Sequence, residues 1–417
     1  MPTPESQKIM LIIIDQLRAD YLPHFKKCSS LLPYQAVCST NSFPASTESM
    51  HANISTGMYP KDHGFISKNT KGGQDGLVQL VEKLRSKQVP SLASLASESG
   101  FSTYVIGGKE ETVRVMGTEE NCALMIHYDK KNKKFIPRKA RNDLRGKIQS
   151  IFRENQHTNI DQKNLDRNVL VMANELIQLL PNPFLYIVTL SSLDSIGHAS
   201  GPNSNEVHRH LAFLDNEINS LVQKITPSSV IITGDHGCRN VSRYVIEPES
   251  NSAINVYCID GQSIKPYEQY KLTSIMDAIQ YDGGLLRIWM KENNNLSEQD
   301  LSFFSRYGYV FPHYIEQGLA DKEIERLYYN SIHENLGDVF VIAQGDASFL
   351  KLDWIHDKLI QRKVAQRENI KLGDLPIGEH GTYDREDNRV CFLSNIEDLG
   401  PEFNNVQIYN IIKRIMS

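Results

Sequence analysis

Five short apolar runs, IMLIII (9–14), TYVIGG (103–108), FLYIVTL (184–190), SVIITG (229–234) and VCFLS (390–394), punctuate the 417-residue chain. Each has the length of a strand and is rich in branched or aromatic residues. Between them, Leu165, Val169, Met172, Leu176 and Leu180 keep helical spacing, as do Leu211, Leu214, Ile218, Leu221 and Ile225. Strands that are apolar throughout are buried on both faces, so the expected fold is α/β, a doubly wound and mainly parallel sheet covered by helices. Apolar residues at 40% can fill such a core, and the length leaves room for a second unit. Residues 241–379, with candidate strands NVYCI, LLRIWM and DVFVIA, read as an inserted cap subdomain. Residues 1–240 would then form the main core, with a basic insertion near 127–163, and 380–417 would return to it. The basic run DKKNKKFIPRKARNDLRGK either lines the approach of an anionic ligand or is a solvated loop.

The polar residues that close these runs carry the chemistry. Asp15, Lys109, Asp194 and Asp235 all fall at the carboxyl ends of expected parallel strands, the edge where open α/β sheets bind ligands. Taken singly, each has an ordinary reading: Asp15 caps the next helix, Lys109 is a solvated loop lysine, Asp194 and His198 are a loop pair, His380 is an isolated loop histidine. GDHG (234–237) is harder to explain that way, since its glycines permit a sharp turn that brings Asp235 and His236 together. Gly197 similarly permits a tight bend between Asp194 and His198. Jointly, three aspartates (Asp15, Asp194, Asp235) and three histidines (His198, His236, His380) imply one site, a nitrogen and oxygen set suited to two zinc ions. Two such ions clamp the attacking and leaving oxygens of a phosphoryl displacement. In FPASTESMHANISTG (43–57), Pro44 and Ser46 mark a helix start and Gly57 its stop, which places Thr47 beside unpaired backbone N–H groups as a candidate nucleophile.

The remaining composition excludes other classes. A net charge of −5 gives no basic field for nucleic acid, so a small molecule is the expected partner. The run at 9–14 is too short for a membrane span and lacks a basic leader or cleavage site, which makes the cytoplasm the expected location. Six cysteines without a CxxC pair suggest neither a disulfide framework nor a thiolate zinc site.

These motifs resemble the alkaline phosphatase superfamily, and most closely its type I phosphodiesterase and nucleotide pyrophosphatase branch. FPASTESMHANISTGMYPKDHG is similar to that branch's nucleophile segment, and DSIGH (194–198), GDHG (234–237) and GEHG (378–381) follow in the family's order. The resemblance implies that residues 1–240 are a metal-binding catalytic core and that Thr47 attacks phosphorus to give a phospho-threonine intermediate. It also implies one zinc on Asp194, His198 and His380 and another on Asp15, Thr47, Asp235 and His236. Two departures stand out. Where the family has a phosphoryl-binding asparagine, counting from His63 gives Lys68, with Asn69 next, and the place of a PNH triplet reads Ser49, Met50, His51. Lys109 resembles the lysine of relatives that act on phosphate monoesters and phosphonoacetate, but their second basic residue is Glu111 here, with Arg114 as a substitute. The implied activity is phosphodiesterase or nucleotide pyrophosphatase, with a phosphomonoesterase or phosphonate hydrolase as the alternative. A catalytically silent binding protein with the same fold is a further alternative, and a sulfatase is disfavoured because Thr47 cannot give its aldehyde. Oligomeric state stays open.

Overall fold

The computed structural model describes residues 7–40, 42–71, 75–129, 132, 134–155, 165–225, 228–247, 253–291, 294–355, 357–382, 388–396 and 402–417. Nine strands build the central sheet: β1 (Lys8–Ile14), β2 (Tyr34–Ser39), β3 (Ser102–Gly107), β4 (Cys122–Asp129), β5 (Lys134–Ala140), β6 (Phe184–Leu190), β7 (Ser229–Gly234), β8 (Arg389–Ser394) and β9 (Glu402–Asn404). Their order is β9-β2-β8-β7-β1-β6-β3-β4-β5. The five strands from β7 to β4 run parallel, while β8 is antiparallel to both its neighbours and β5 is antiparallel to β4.

Burial explains why the sheet is wound on both sides. Along β1, Met10, Ile12 and Ile14 pack with helices Leu165–Leu176 and Asn205–Ile225. Ile9, Leu11 and Ile13 point the other way and pack with helices Gly76–Arg85, Leu92–Glu98 and Gln407–Met416. Every residue from Ile9 to Ile14 is therefore fully buried, which is what its unbroken apolar run requires.

Four of the five expected strands belong to the parallel set. VCFLS becomes β8 and runs against it. β2 has no apolar run in the sequence: only alternate residues of YQAVCS are inward, so its signal is weak. The basic stretch supplies the end of β4, the edge strand β5 and helix Asn142–Asn155; residues 130–131, 133 and 156–164 lie outside the described ones.

Residues 243–371 build two further sheets. Five strands (Ala347–Leu350, Arg243–Ile246, Ile254–Asp260, Ser263–Tyr270, Ile370–Lys371) form one, and four antiparallel strands (Met276–Asp282, Leu285–Met290, Val339–Ala343, Gly308–Phe311) form the other. Both have their own apolar clusters. They touch the core near its functional edge: a Cβ on Gly284 would lie 2.3 Å from the carbonyl oxygen of His380. Among the described residues, no helix is long and apolar enough to cross a membrane.

Candidate active site and metal centre

One edge of the sheet collects a polar residue from each strand that meets it. β1 delivers Asp15, whose N–H donates to the Leu190 carbonyl at 2.9 Å as β1 and β6 end together. The next residue, Gln16, takes a left-handed conformation (φ 70°), and its N–H donates to Asp235 Oδ1 at 2.9 Å. β7 delivers Asp235 and His236. Gly234 serves a close approach rather than a sharp turn, since a Cβ there would sit 2.5 Å from the Leu17 carbonyl oxygen. β2 leads into helix α1 (Thr47–Thr56), which starts at Thr47 and stops at left-handed Gly57 (φ 67°), as expected. β3 leads to Lys109, just before helix α2 (Glu110–Met116).

β6 leads into helix α3 (Ser192–Ser200), which places Asp194 in its first turn and His198 four residues on, along one face. The tight bend expected at Gly197 is absent. Gly197 lies inside α3, where a Cβ would fall 2.1 Å from Gln16 Oε1, so the glycine admits a buried neighbour instead. β8 enters from this same edge because it is antiparallel. His380 therefore arrives just ahead of it, on a short ladder of Gly378–Glu379 with Arg239–Asn240.

Thr47 Oγ1 occupies the middle of this group. It lies 3.2 and 3.4 Å from the Asp15 oxygens and 3.1 Å from His236 Nε2. His236 Nε2 is also 3.1 Å from Asp15 Oδ1 and 3.6 Å from Asp235 Oδ2. A few ångströms away, His198 Nε2 lies 3.2 Å from Asp194 Oδ1, and His380 Nε2 lies 4.0 Å from that same oxygen. The His236 and His380 rings are 4.2 Å apart. Lys109 Nζ bridges the two halves at 2.5 Å from Asp15 and 3.4 Å from Asp194.

Outer partners fix which ring nitrogen faces inward. His198 Nδ1 donates to the Gly378 carbonyl at 2.7 Å and His236 Nδ1 to the Gly237 carbonyl at 2.9 Å, leaving both Nε2 atoms on the carboxylates. His51 donates from Nδ1 to the Thr47 carbonyl at 2.7 Å, and the same nitrogen is 3.3 Å from Asp235 Oδ2.

Crowding of like charge sets the electrostatics. Burial, and then the nearby Asp194 carboxylate, push Asp15 above the usual carboxylate range. Burial would raise Asp194 too, but His198 and Lys109 hold it well below. Burial works against the His198 imidazolium, yet Asp194 and Glu379 raise it to about 10. His236 is likewise raised to about 9, chiefly by Asp235, against its burial. Burial and then His236 hold His380 well below its ordinary value.

The residues present fit metal binding. Potential ligand atoms of Asp15, Asp235 and His236 all lie within 4.8 Å of one another, as do those of Asp194, His236 and His380, and those of His198, Glu379 and His380. Asp194 Oδ1 and Asp235 Oδ2 are buried with no well-aligned hydrogen bond, only imidazole nitrogens at 3.2 and 3.3 Å, which suits carboxylates that a metal would complete. With imidazoles and no thiolates, zinc matches this donor set.

Sequence reasoning did not single out Glu379 or the contacts of His51. Glu379 was masked by its motif, in which His380 drew attention, and His51 by its place inside a helix. Of the two expected phosphoryl donors, Lys68 lies 3.1 Å from Glu48 and 2.8 Å from Glu111, while Asn69 is exposed and bridges to Asp75. Lys68, Lys109, Glu48, Glu111 and Arg138 help line a 670 Å³ cleft. Arg138, from the basic stretch, is neutralised there by Glu110 and Glu119.

The doubly wound, mainly parallel sheet is an alkaline phosphatase-like fold. Within it, the chain belongs to the type I phosphodiesterase / nucleotide pyrophosphatase family, whose profile matches residues 9–356. Murine ectonucleotide pyrophosphatase / phosphodiesterase 5 superposes with a TM-score of 0.58 at 14% identity, covering 98% of this chain and 95% of that one. Phosphonoacetate hydrolase from Sinorhizobium meliloti 1021 superposes with a TM-score of 0.63 at 12% identity, covering 99% and 96%. At such identity these likenesses show the fold. A venom phosphodiesterase of Crotalus durissus collilineatus is 22% identical over 272 residues, 60% of this chain, and the match spans 29% of that protein's length.

Proposed function

We propose that this chain is a two-zinc hydrolase of phosphate diesters or pyrophosphates that works through a covalent intermediate on Thr47. The observation that carries the reading is the Thr47 hydroxyl, held 3.1 Å from His236 Nε2 and 3.2 Å from Asp15 at the start of a helix. Asp194, His198 and His380 would hold one ion, and Asp15, Thr47, Asp235 and His236 the other. Bound there, the ions supply the charge that lowers the hydroxyl pKa and neutralises oxygens in the transition state.

The chain's own residues do the rest. α1 would aim the Thr47 oxygen at phosphorus in line with the leaving oxygen. The Thr47 Oγ1–phosphorus bond forms as the bond to the leaving oxygen breaks, the hydroxyl proton is lost, and the leaving group departs as an alcohol or phosphate. The phosphoryl group stays on Thr47, with its remaining ester when the substrate is a diester, until water displaces it. Lys109 presents a fixed ammonium to the additional charged nonbridging oxygen that a monoester or phosphonate brings and a diester lacks. Lys68 is the better placed of the two expected donors, and its charge is largely spent on Glu48 and Glu111. That balance favours a phosphoryl group with one negative charge, as in a diester. The murine relative has also been solved as an inactive variant in complex with AMP, and the bacterial one with phosphonoacetate, so a monoester or phosphonate is the second reading. Residues 241–379 act in this account as a cap over the core formed by 1–240 and 380–417, and the six free cysteines suit a reducing cytoplasm.

Thr47→Ala tests the proposal. Turnover of a diester such as bis-p-nitrophenyl phosphate is expected to vanish, while most bound zinc stays because the Asp and His ligands remain. Near-normal turnover by the alanine variant would show that the nucleophile lies elsewhere.

A further inference from the structure

Helix α3 carries Asp194 and His198, yet its own N-cap, Ser191, makes no capping bond through its side chain. The first N–H groups of a helix need an acceptor when they are buried. Here it comes from another element. Asp166, near the start of helix Leu165–Leu176 and fully buried, accepts from the N–H of Ser191 at 2.7 Å and of Ser192 at 3.0 Å, both through Oδ1. The Asp166 N–H donates in return to Ser192 Oγ at 3.1 Å. Its second oxygen, Oδ2, meets His210 Nε2 at 2.9 Å, and His210 comes from helix Asn205–Ile225. Three helices are therefore tied at one carboxylate, which holds the chain at Ser191 and Ser192, three and two residues before Asp194.

We propose that Asp166, oriented by His210, is a positioning residue for the metal half-site of Asp194 and His198. The proposal rests on the metal reading above and goes beyond it, because neither residue reaches that site. A carboxylate at the N-terminus of α3 fixes the helix along its axis and about it, and the favourable end charge adds to the hydrogen bonds. Rotation of α3 would swing Asp194 and His198 together, since they share its face. The effect should thus fall on one ion and spare the other.

The test is cobalt(II) binding to the metal-stripped full chain, followed by titration and by the visible absorption of the bound ion. Wild type is expected to take up two ions. Asp166→Ala should weaken one of them by roughly ten- to a hundredfold, the range for loss of an outer partner, and alter its bands while leaving the other ion unchanged. Asp166→Asn, which keeps an oxygen acceptor for both N–H groups, should restore most of that affinity. An Asp166→Ala protein that melts earlier but binds both ions with wild-type affinity and spectrum overturns the proposal. Should Asp166→Ala not fold, His210→Ala removes only the orienting donor, and wild-type cobalt binding by that variant overturns it equally. A wild-type chain that binds no cobalt would overturn the metal reading itself, and this one with it.

Discussion

The Lys109 ammonium sits between Asp15 and Asp194, so any substrate oxygen it contacts must share it with two carboxylates. A monoester or phosphonate brings an additional charged nonbridging oxygen and can use that ammonium more fully in the transition state than a diester can. If a monoester or phosphonate is the natural substrate, Lys109→Ala is expected to lower kcat/KM on it by roughly 2–4 kcal/mol and leave diester cleavage nearly unchanged. On the diester reading, wild type prefers bis-p-nitrophenyl phosphate over p-nitrophenyl phosphate; a strong monoester preference abolished by Lys109→Ala would reverse the order of the two. At this scale the sequence was most legible. Asp15, Asp194 and Asp235 each follow a recognisable apolar run, and the structure brings all three together with Thr47, His198, His236 and His380. The environment of Lys68 was not legible, because its partners Glu48 and Glu111 lie 20 and 43 positions away and meet it only through the fold. Glu379 was missed for a related reason: a carboxylate beside a histidine in a loop carries no pattern until the chain is folded.

Helix α3 shows how an element can be found in sequence and still be misread. Gly197 signals a bend on local grounds, but its place is set by Gln16, a buried side chain from the far end of the chain. Alanine at 197 would gain helix propensity of up to about 1 kcal/mol and meet Gln16 at a cost of about 1–3 kcal/mol. Gly197→Ala is therefore expected to destabilise the protein, and the same change in a Gln16→Ala background to be neutral or stabilising. Urea unfolding of the four proteins in that double-mutant cycle measures the difference, and equal effects in both backgrounds would remove Gln16 as the cause. The strands divide by the same logic. β1, β3, β6 and β7 are apolar on both faces and announce themselves, whereas β2 buries only alternate residues. The direction of β8 depends on which neighbour it joins, which no local pattern encodes.

For the molecule as a whole, the balance of protons and cations at one edge links stability to pH. His236 and His198, raised to about 9 and about 10 without metal, bind protons more tightly folded than unfolded. Their stabilisation is complete below the unfolded value of about 6.5 and is lost as pH rises through 9 and 10. The Tm of the metal-stripped protein is thus expected to fall across that window. Zinc requires neutral imidazoles, so the Tm increment it adds should grow over the same range; an increment that shrinks with pH would contradict the assigned ligands. The two further sheets of residues 243–371 were visible in sequence only as isolated apolar runs, since which strands pair into which sheet is settled by contacts distant in the chain. The central claim, attack by Thr47 followed by attack of water, has a stereochemical signature. Each in-line displacement inverts phosphorus, so two in succession restore its configuration. Hydrolysis of a chiral phosphorothioate diester in oxygen-18 water should give a product with net retention at phosphorus, and net inversion would show that water attacks directly.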